Sequence, residues 1–214
     1  MMFSIFPSAD MNAEKLSDFL IKAADYASPT QLARNGILDI ENRCFKQAAV
    51  LLACVYHQQQ WQIVLTRRAA SLRHHGGQIA LAGGGREGLD VSLTATALRE
   101  TAEEIGIAAH EWQTFPVLPP DYTPSGYEVY AVPALCRRSP KIEVNAAEVA
   151  EVFYLPLVLA LNPENYRSRV LNYNGKSIDS PVLPYRDYDI WGLTAVILYG
   201  LAERYRAYCE AALE

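Results

Sequence analysis

Features of specialised protein classes are scarce in this sequence. It has four cysteines, which form no CxxC pair and no metal-ligand spacing: Cys44, Cys54, Cys136 and Cys209. No secretory pattern stands at the N-terminus, and the longest apolar runs, such as residues 48–56, are too short to span a bilayer. We therefore expect a cytoplasmic protein with free, mostly buried thiols and no membrane association.

Positive charge is also in short supply. The chain has 19 Lys and Arg residues against 24 Asp and Glu residues, and the net charge of −5 argues against a general nucleic-acid binder. Hydrophobic residues make up 50% of the 214 positions, and there is no internal repeat or low-complexity tract. We expect a single domain over residues 1–214, with its core at about 45–200.

The order of hydrophobic patterns predicts a mixed β-sheet flanked by helices, an α/β or α+β fold. Helical spacing predicts an N-terminal helix over residues 11–26, with Asn12 as a cap, a second helix over 92–105 and a C-terminal helix over 189–212. Strands are predicted at 47–56 and 61–66 as a hairpin, within 76–85, and at 112–117, 127–136 and 149–154. An Asn-Gly pair predicts a further hairpin over 169–178.

The stretch ALRETAEEIGI, residues 97–107, places three carboxylates near the end of a predicted helix. Glu100, Glu103 and Glu104 are three and four residues apart, so they fall within about a third of the helix circumference. The opposite side carries the residues expected to face the core: Leu98, Thr101, Ala102 and Ile105. Like charges at those spacings cost roughly 0.2–0.5 kcal/mol per pair. Gly106, the predicted C-cap, places them at the negative end of the helix dipole, which is a further penalty.

Spacing alone leaves two interpretations of this acidic helix face. It is either a solvated surface with Arg99 as a partial counterion, or a site for a hard divalent cation. Such a cation takes oxygen ligands and offsets both electrostatic penalties. A glycine turn at residues 83–85 precedes the helix, and it lets the backbone approach a ligand closely, so that a carbonyl could join the carboxylates. The combination favours the metal site.

These residues resemble the signature of the Nudix hydrolase family, G-x5-E-x7-R-E-U-x-E-E-x-G-U, where U is a bulky aliphatic residue. Anchored at Arg99 and Glu100, the match comprises Gly85, Arg99, Glu100, Glu103, Glu104, Gly106 and Ile107. The chain departs from the signature at two positions: Val91 stands where the signature has glutamate, and Thr101 where it has an aliphatic residue. Asp90 and Glu87 are nearby acids that could serve in place of the missing glutamate. The resemblance implies the Nudix fold, a mixed sheet sandwiched between helices, here with N- and C-terminal helical extensions.

A second motif at residues 64–85 is similar to the segment that precedes the signature in the coenzyme A pyrophosphatase branch, which also tends to carry an Asp where Asp90 lies. Residues in register with it are Thr66, Arg68, Leu72, Arg73, His75, Gly77, Ile79, Gly83 and Gly84. Similar segments follow at 119–135, 147–157 and 188–198, so the likeness runs from about 45 to 200. The motif has Ser, Phe and Pro where this chain has Ala69, Leu81 and Ala82. The missing proline removes a fixed φ before the glycine turn.

The resemblance implies a metal-dependent active site. The family's catalytic residues fall on Arg99, Glu100, Glu103 and Glu104, and its metal-binding positions fall on the three glutamates, Gly84 and Gly85. Glu100 and Glu104 are expected to bind Mg²⁺ or Mn²⁺, with Glu103 as a third ligand or partner. A glycine carbonyl is expected to complete the coordination, and Arg99 to orient a glutamate.

The branch motif also implies substrate-binding residues. Arg68, Arg73 and His75 are expected to grip the phosphates of coenzyme A, since arginine forks suit phosphate groups. The general base is left open between the carboxylate cluster and a later loop. Glu148 and Glu151 are candidates in that loop, although for each the sequence favours a surface glutamate beside a strand.

The expected activity is Mg²⁺- or Mn²⁺-dependent hydrolysis of the pyrophosphate bond of coenzyme A or its thioesters. The products would be 4′-phosphopantetheine, or its acyl form, and adenosine 3′,5′-bisphosphate. One alternative is hydrolysis of another nucleoside diphosphate derivative, such as ADP-ribose, NADH or a dinucleoside polyphosphate. Another is a binding module without turnover, which the intact set of glutamates disfavours. The partner is a small nucleotide, and a homodimer is an expectation from the family.

Overall fold

The computed structural model describes residues 11–38, 40, 44–72, 75–173 and 175–213. Within these residues eight strands form a mixed sheet: β1 (Lys46–His57), β2 (Gln60–Arg68), β3 (Ile79–Ala80), β4 (Gly83–Gly85), β5 (Gln113–Thr114), β6 (Asp121–Tyr122), β7 (Tyr127–Cys136) and β8 (Val149–Pro156). β1 is the central strand of this sheet. β7 runs parallel to β1 from Lys46 opposite Tyr127 to Val55 opposite Cys136, and β2 runs antiparallel beside its second half.

The predicted hairpin between β1 and β2 is confirmed. Its turn lies at Gln58 and Gln59, which have positive φ values of 49° and 63°. Positive φ at both central positions gives a turn whose twist matches that of the strands it joins.

β1 and β2 separate where the glycine strand, β4, pairs with β1. β1 pairs with β2 at residues 54–57, but with β4 at residues 48–50. The far end of β2 pairs instead with β3, through Thr66 and Arg67, and with β8 along its length. The β3–β4 segment, predicted as one short strand, is therefore two strands that bridge the diverging ends of β1 and β2.

Helices cover both faces of the sheet, as the patterns predicted. Along β1, alternate residues belong to two different hydrophobic clusters: Leu52 and Cys54 to one, and Leu51, Ala53 and Val55 to the other. The first cluster includes side chains from the N-terminal helix α1 (Ala13–Lys22) and the C-terminal helix α5 (Gly192–Ala211). The second includes side chains from α3 (Leu93–Ile105).

The N-terminal helical region differs from its prediction. Asn12 caps α1, accepting from the Lys15 backbone N–H at 2.9 Å, but the helix gives way to a 3-10 turn at Ala23–Asp25. A second helix, α2 (Pro29–Ile37), was not predicted, although Ser28 and Pro29 are ordinary start signals. The pattern was missed because only Gln31 of α2 is buried, so the helix has no apolar stripe.

Polar contacts rather than an apolar face dock α2 onto α5. Glu203 accepts hydrogen bonds from the hydroxyls of Ser28 and Thr30 at 2.6 and 2.7 Å. The buried Arg204 donates to Gln31 Oε1 at 2.6 Å and to the carbonyl of Tyr26. These bonds satisfy buried polar groups that would otherwise be costly.

A 3-10 turn at Ala109–Glu111 precedes β5, and the remaining elements follow β8. A short helix, α4 (Leu157–Ala160), was not predicted, and a second 3-10 turn lies at Pro163–Asn165. The predicted hairpin at 169–178 is confirmed as β9 (Arg167–Tyr173) and β10 (Lys176–Tyr185), which form a second sheet with β11 (Tyr188–Ile190). Asn174 of its predicted turn lies outside the described residues. In the described part of the chain, no helix is long and apolar enough to cross a membrane.

Candidate functional site

α3 begins and ends where the sequence predicted. Ser92 caps its N-terminus, accepting from the Ala95 backbone N–H at 3.1 Å. Gly106 ends it with a left-handed φ of 75°, and its N–H donates to the Ala102 carbonyl. A β-carbon on Gly106 would lie 2.8 Å from that of Glu143, so close packing and backbone conformation both require glycine here.

The three glutamates of α3 do not share one exposed face, which corrects the prediction. Side-chain exposure is 53% for Glu103, 16% for Glu100 and 3% for Glu104. Glu104 lies on the buried side of the helix together with Thr101 and Ile105. The acidic cluster therefore extends from solvent into the protein interior.

Glu104 is the buried member of the cluster. Burial is the main reason why the pKa of Glu104 is raised to about 7; Arg68 and a hydrogen bond from the Gly83 backbone oppose the shift, while the charges of Glu100 and Glu148 add to it. Arg68 Nη1 lies 3.6 Å from Glu104 Oε1. Glu104 Oε2 is buried and has no hydrogen-bond partner. A buried carboxylate oxygen without a partner costs free energy unless another group contacts it.

Glu100 lies directly over the glycine strand. A β-carbon on Gly84 would be 2.5 Å from both carboxylate oxygens of Glu100, so only glycine leaves room for this carboxylate. At the neighbouring Gly83, a β-carbon would lie 2.3 Å from the Ala49 carbonyl oxygen of β1. The glycine turn thus allows β4 to press against β1 and Glu100 to press against β4.

Arg99 joins the glycine turn to the helix carboxylates. Its Nη2 lies 3.0 Å from Glu100 Oε1 and 3.2 Å from the Gly85 carbonyl oxygen, and its Nη1 lies 3.0 Å from Glu103 Oε2. Arg99 therefore contacts two of the three glutamates, and its role in orienting a glutamate stays a prediction. Glu103 faces Arg99 in this arrangement and is exposed, and its role as a third ligand or partner stays a prediction.

Asp90, one of the two acids offered for the glutamate that the signature has at position 91, contacts Arg99. It accepts from Arg99 Nε and Nη2, both at 3.1 Å, and from Thr96 Oγ1 at 3.0 Å. The hydrogen bonds from Arg99 hold the pKa of Asp90 well below its usual range. Val91 itself is 89% exposed. The acid that contacts Arg99 is therefore Asp90, one residue before the signature position.

Glu148 brings a third carboxylate toward Glu100 and Glu104 from another element. Its charge raises the pKa of both residues. The segment before β8 is attached to the end of α3, because the Asn145 backbone N–H donates to the Glu104 carbonyl at 2.9 Å. The Asn145 side chain in turn donates to Glu148 Oε1 at 3.3 Å. Sequence reasoning named Glu148 among the base candidates but could not separate it from Glu151.

Glu151, the other base candidate, is already paired. Its Oε2 lies 3.1 Å from Arg67 Nη2, and its Oε1 accepts from the Tyr188 hydroxyl at 2.6 Å. The Tyr188 ring stacks on Phe153 at 3.9 Å between centroids. Glu151 therefore links β2, β8 and β11.

The predicted substrate-binding residues have different positions. Arg68 reaches the carboxylate cluster through Glu104. His75 is exposed, has a φ of 60°, and its Nδ1 lies 2.9 Å from Gln78 Oε1. Arg73 lies outside the described residues. The roles of these three residues stay predictions.

The donor set fits a hard divalent cation. In the described ranges, no three or more His, Cys, Asp or Glu side chains form a group that could hold a metal ion as they lie, and Arg99 and Arg68 lie beside Glu100 and Glu104. The partnerless oxygen of Glu104 nevertheless offers a free ligand atom next to another half-buried carboxylate. Carboxylate and carbonyl oxygens are the ligands that Mg²⁺ and Mn²⁺ prefer.

Comparison with known proteins identifies the family. The family model for the NUDIX domain matches residues 46–171. The "Uncharacterized Nudix hydrolase NudL" of Photorhabdus laumondii is 36% identical over 159 residues, which cover 74% of this chain and 84% of that protein. The protein of the same name from Enterobacter is 36% identical over 179 residues, covering 83% of this chain and 92% of its own.

Among solved structures, a Nudix hydrolase from M. smegmatis, RenU, aligns with 52% of this chain and 71% of its own, at 21% identity and a TM-score of 0.45. The family model spans more than half of the chain, and both sequence relatives align over most of their length. The chain therefore belongs to the Nudix hydrolases, enzymes that hydrolyse nucleoside diphosphate derivatives.

Proposed function

We propose that this enzyme hydrolyses the pyrophosphate bond of coenzyme A or an acyl-coenzyme A in a reaction that needs Mg²⁺ or Mn²⁺. The products are 4′-phosphopantetheine, or its acyl form, and adenosine 3′,5′-bisphosphate. The observation that carries the proposal is the position of Arg68, a residue of the coenzyme A pyrophosphatase motif, 3.6 Å from the buried Glu104 carboxylate. It puts a phosphate-binding cation of that motif beside the carboxylates proposed to hold the metal.

Divalent cations such as Mg²⁺ serve Nudix hydrolases in general, and this chain's ligands are proposed to be Glu100 and Glu104. Glu104 supplies its partnerless Oε2, and Glu100 lies over Gly84, whose carbonyl or that of Gly85 completes the set. When bound, the cation neutralises phosphate oxygens and favours attack by water. It also offsets the cost of burying Glu104 as an anion.

The chain's own residues supply the remaining functions. Arg68 binds a phosphate oxygen of the substrate, which stabilises the negative charge that develops on the leaving phosphate. Glu148 accepts a proton from the attacking water as the new bond to phosphorus forms. The bridging P–O bond breaks, and its electron pair leaves with the departing phosphate. Arg99 keeps Glu100 in place throughout.

A hydrolysis panel tests the substrate. The protein is incubated with coenzyme A, dephospho-coenzyme A, NADH, ADP-ribose and diadenosine polyphosphates, each with Mg²⁺, with Mn²⁺ and with EDTA. We expect adenosine 3′,5′-bisphosphate from coenzyme A, identified by mass, and no product with EDTA. Turnover of ADP-ribose without cleavage of coenzyme A would overturn the proposed substrate. A preference for coenzyme A over its dephospho form would support contacts from Arg68 or Arg73 to the 3′-phosphate.

Gly84→Ala tests whether activity depends on the position of the Glu100 carboxylate over Gly84. The three atoms nearest the new β-carbon all belong to the flexible end of the Glu100 side chain, so the fold should accommodate it while the carboxylate moves. Displacement of a catalytic group by about 1 Å can cost on the order of 10²-fold in rate, and we expect a loss of that size in kcat. The Tm of the metal-free protein should stay within a degree or so of the wild type, since no core contact is lost.

Gly88→Ala is the matched control for Gly84→Ala. Gly88 lies in the same loop region, and a β-carbon there meets no atom within 4 Å. We expect it to keep wild-type activity. Full activity in Gly84→Ala would show that Glu100 does not act from its position over the glycine strand.

A further inference from the structure

The loop that follows the glycine strand is not held by apolar burial. Leu89 and Val91 are 94% and 89% exposed, so the largest apolar side chains of residues 86–91 contribute nothing to its packing. Asp90, between them, is only 9% exposed and binds Arg99. Polar contacts must therefore fix the conformation of the loop 86–90.

Arg86 bonds to both ends of this loop. Its backbone N–H donates to the Gln47 carbonyl at 2.9 Å, which continues the pairing of β4 with β1. Its guanidinium donates from Nη2 to the Asp90 carbonyl at 3.3 Å and from Nη1 to Gln47 Oε1 at 2.7 Å. One side chain thus connects the start of the loop, the residue that binds Arg99, and the central strand.

The direction of the Gln47 amide is set by a third residue. Gln47 Nε2 donates to Glu128 Oε1 on β7 at 2.8 Å, which leaves its oxygen to face Arg86. Since an amide has one acceptor end and one donor end, a carboxylate on one side and a guanidinium on the other fix its orientation.

We propose that Arg86, Gln47 and Glu128 form a positioning chain for the metal site. The chain holds the loop 86–90, so that Asp90 keeps Arg99 in the orientation in which Arg99 contacts Glu100. None of the three residues belongs to the family signature, and none is proposed to touch metal or substrate. This inference rests on the proposed roles of Glu100 and Arg99, but it can be tested without turnover.

The test uses metal binding and amide exchange on the full-length protein. Arg86→Ala should raise hydrogen exchange at the backbone amides of Glu87 and Asp90 at least 10-fold and weaken Mn²⁺ binding by calorimetry several-fold. Arg137→Ala is the matched control, because Arg137 also donates to a glutamine, Gln113 Oε1, at 3.4 Å, but lies at the far end of β7. It should change neither measurement.

Exchange of the amide and the carboxylate between positions 47 and 128 gives the sharper test. Gln47→Glu places two carboxylates side by side and should reproduce the Arg86→Ala defects. Glu128→Gln keeps an acceptor for Gln47 and should stay within about twofold of the wild type. In the double variant Gln47→Glu/Glu128→Gln, the new carboxylate at position 47 would accept from both Arg86 and the new amide at position 128. Mn²⁺ affinity and exchange rates should then return to within about threefold of the wild type.

Three results would overturn the positioning chain. The first is wild-type exchange and Mn²⁺ affinity in Arg86→Ala, and the second is a double variant no better than Gln47→Glu alone. The third is a rise in KM alone, which would mean that Arg86 contacts substrate. Failure of the proposed coenzyme A hydrolysis would leave the exchange and Mn²⁺ results unaffected, so the two proposals fail separately.

Discussion

Glu104→Gln should abolish most hydrolysis and at the same time stabilise the metal-free protein. The variant keeps the shape of the side chain but loses the charge that we propose binds the cation. Removal of one group that stabilises charge in a transition state costs 10²–10³-fold, and loss of a buried metal ligand should cost about 10³-fold or more in kcat/KM. Initial rates at saturating Mg²⁺ measure the loss.

The stability gain follows from the pKa of Glu104. Its folded-state value of about 7, against an ordinary value of 4.5, means that the folded protein binds this proton more tightly than the unfolded chain does. In the absence of metal, Glu104 therefore makes the free energy of unfolding fall as the pH rises from about 4.5 to about 7, by roughly 3 kcal/mol at most. Glu104→Gln lacks this slope, so at pH 8 in EDTA its Tm should be several degrees above the wild type.

Metal addition should reverse the order of stability. Mn²⁺ raises the Tm of the wild type because it binds only the folded state, whereas the variant should respond weakly. Glu103→Gln is the matched control, since Glu103 is exposed and contacts Arg99. It should change activity far less than Glu104→Gln. Full activity in Glu104→Gln would show that Glu104 is not an essential metal ligand.

The elements of the fold were predictable where a local signal coincided with an apolar pattern. α3 runs from Leu93 to Ile105 because Ser92 caps it and Gly106 ends it, and both signals are readable in the sequence. The strands β1 and β7 were found because they are long and buried. α2 was missed because its attachment to α5 is polar, and no periodic pattern records a hydrogen bond to Glu203.

The candidate site was predictable in its residue types but not in its depth. Helical spacing correctly groups the three glutamates, yet it cannot show that Glu104 is buried while Glu103 lies in solvent. Burial of a helix residue depends on which other elements pack against the helix, and local spacing does not specify them. The local sequence offered Asp90 and Glu87 as substitute acids, and of these Asp90 is the one that accepts from Arg99; its role stays a prediction.

Contacts between distant segments were beyond the sequence. Glu148 approaches Glu100 and Glu104 only because the segment before β8 binds the end of α3. The chain from Arg86 through Gln47 to Glu128 joins three strands or loops that no spacing rule connects. Both arrangements depend on hydrogen bonds to side chains whose positions tertiary packing decides.

Glu148→Ala should lower kcat by about 10²-fold or more while KM and Mn²⁺ affinity change little. General-base catalysis contributes typically 10²–10⁴-fold, and Glu148 is the carboxylate outside α3 whose charge acts on both Glu100 and Glu104. Its loss should not disturb the fold, since its side chain is only half-buried and its hydrogen bond from Asn145 is long at 3.3 Å. Single-turnover rates separate this chemical step from product release.

Chemical rescue distinguishes a base from a metal ligand at position 148. The alanine variant leaves space for a small carboxylate, so added formate should restore part of the rate if Glu148 takes the proton from water. Glu151→Ala is the control, because Glu151 is occupied by Arg67 and Tyr188; its rate should fall less and formate should not restore it. A Glu148→Ala variant that loses Mn²⁺ affinity and gains nothing from formate would make Glu148 a ligand instead. The proton would then have to go to another carboxylate of the cluster, since a nucleophilic water must lose it for the new P–O bond to persist.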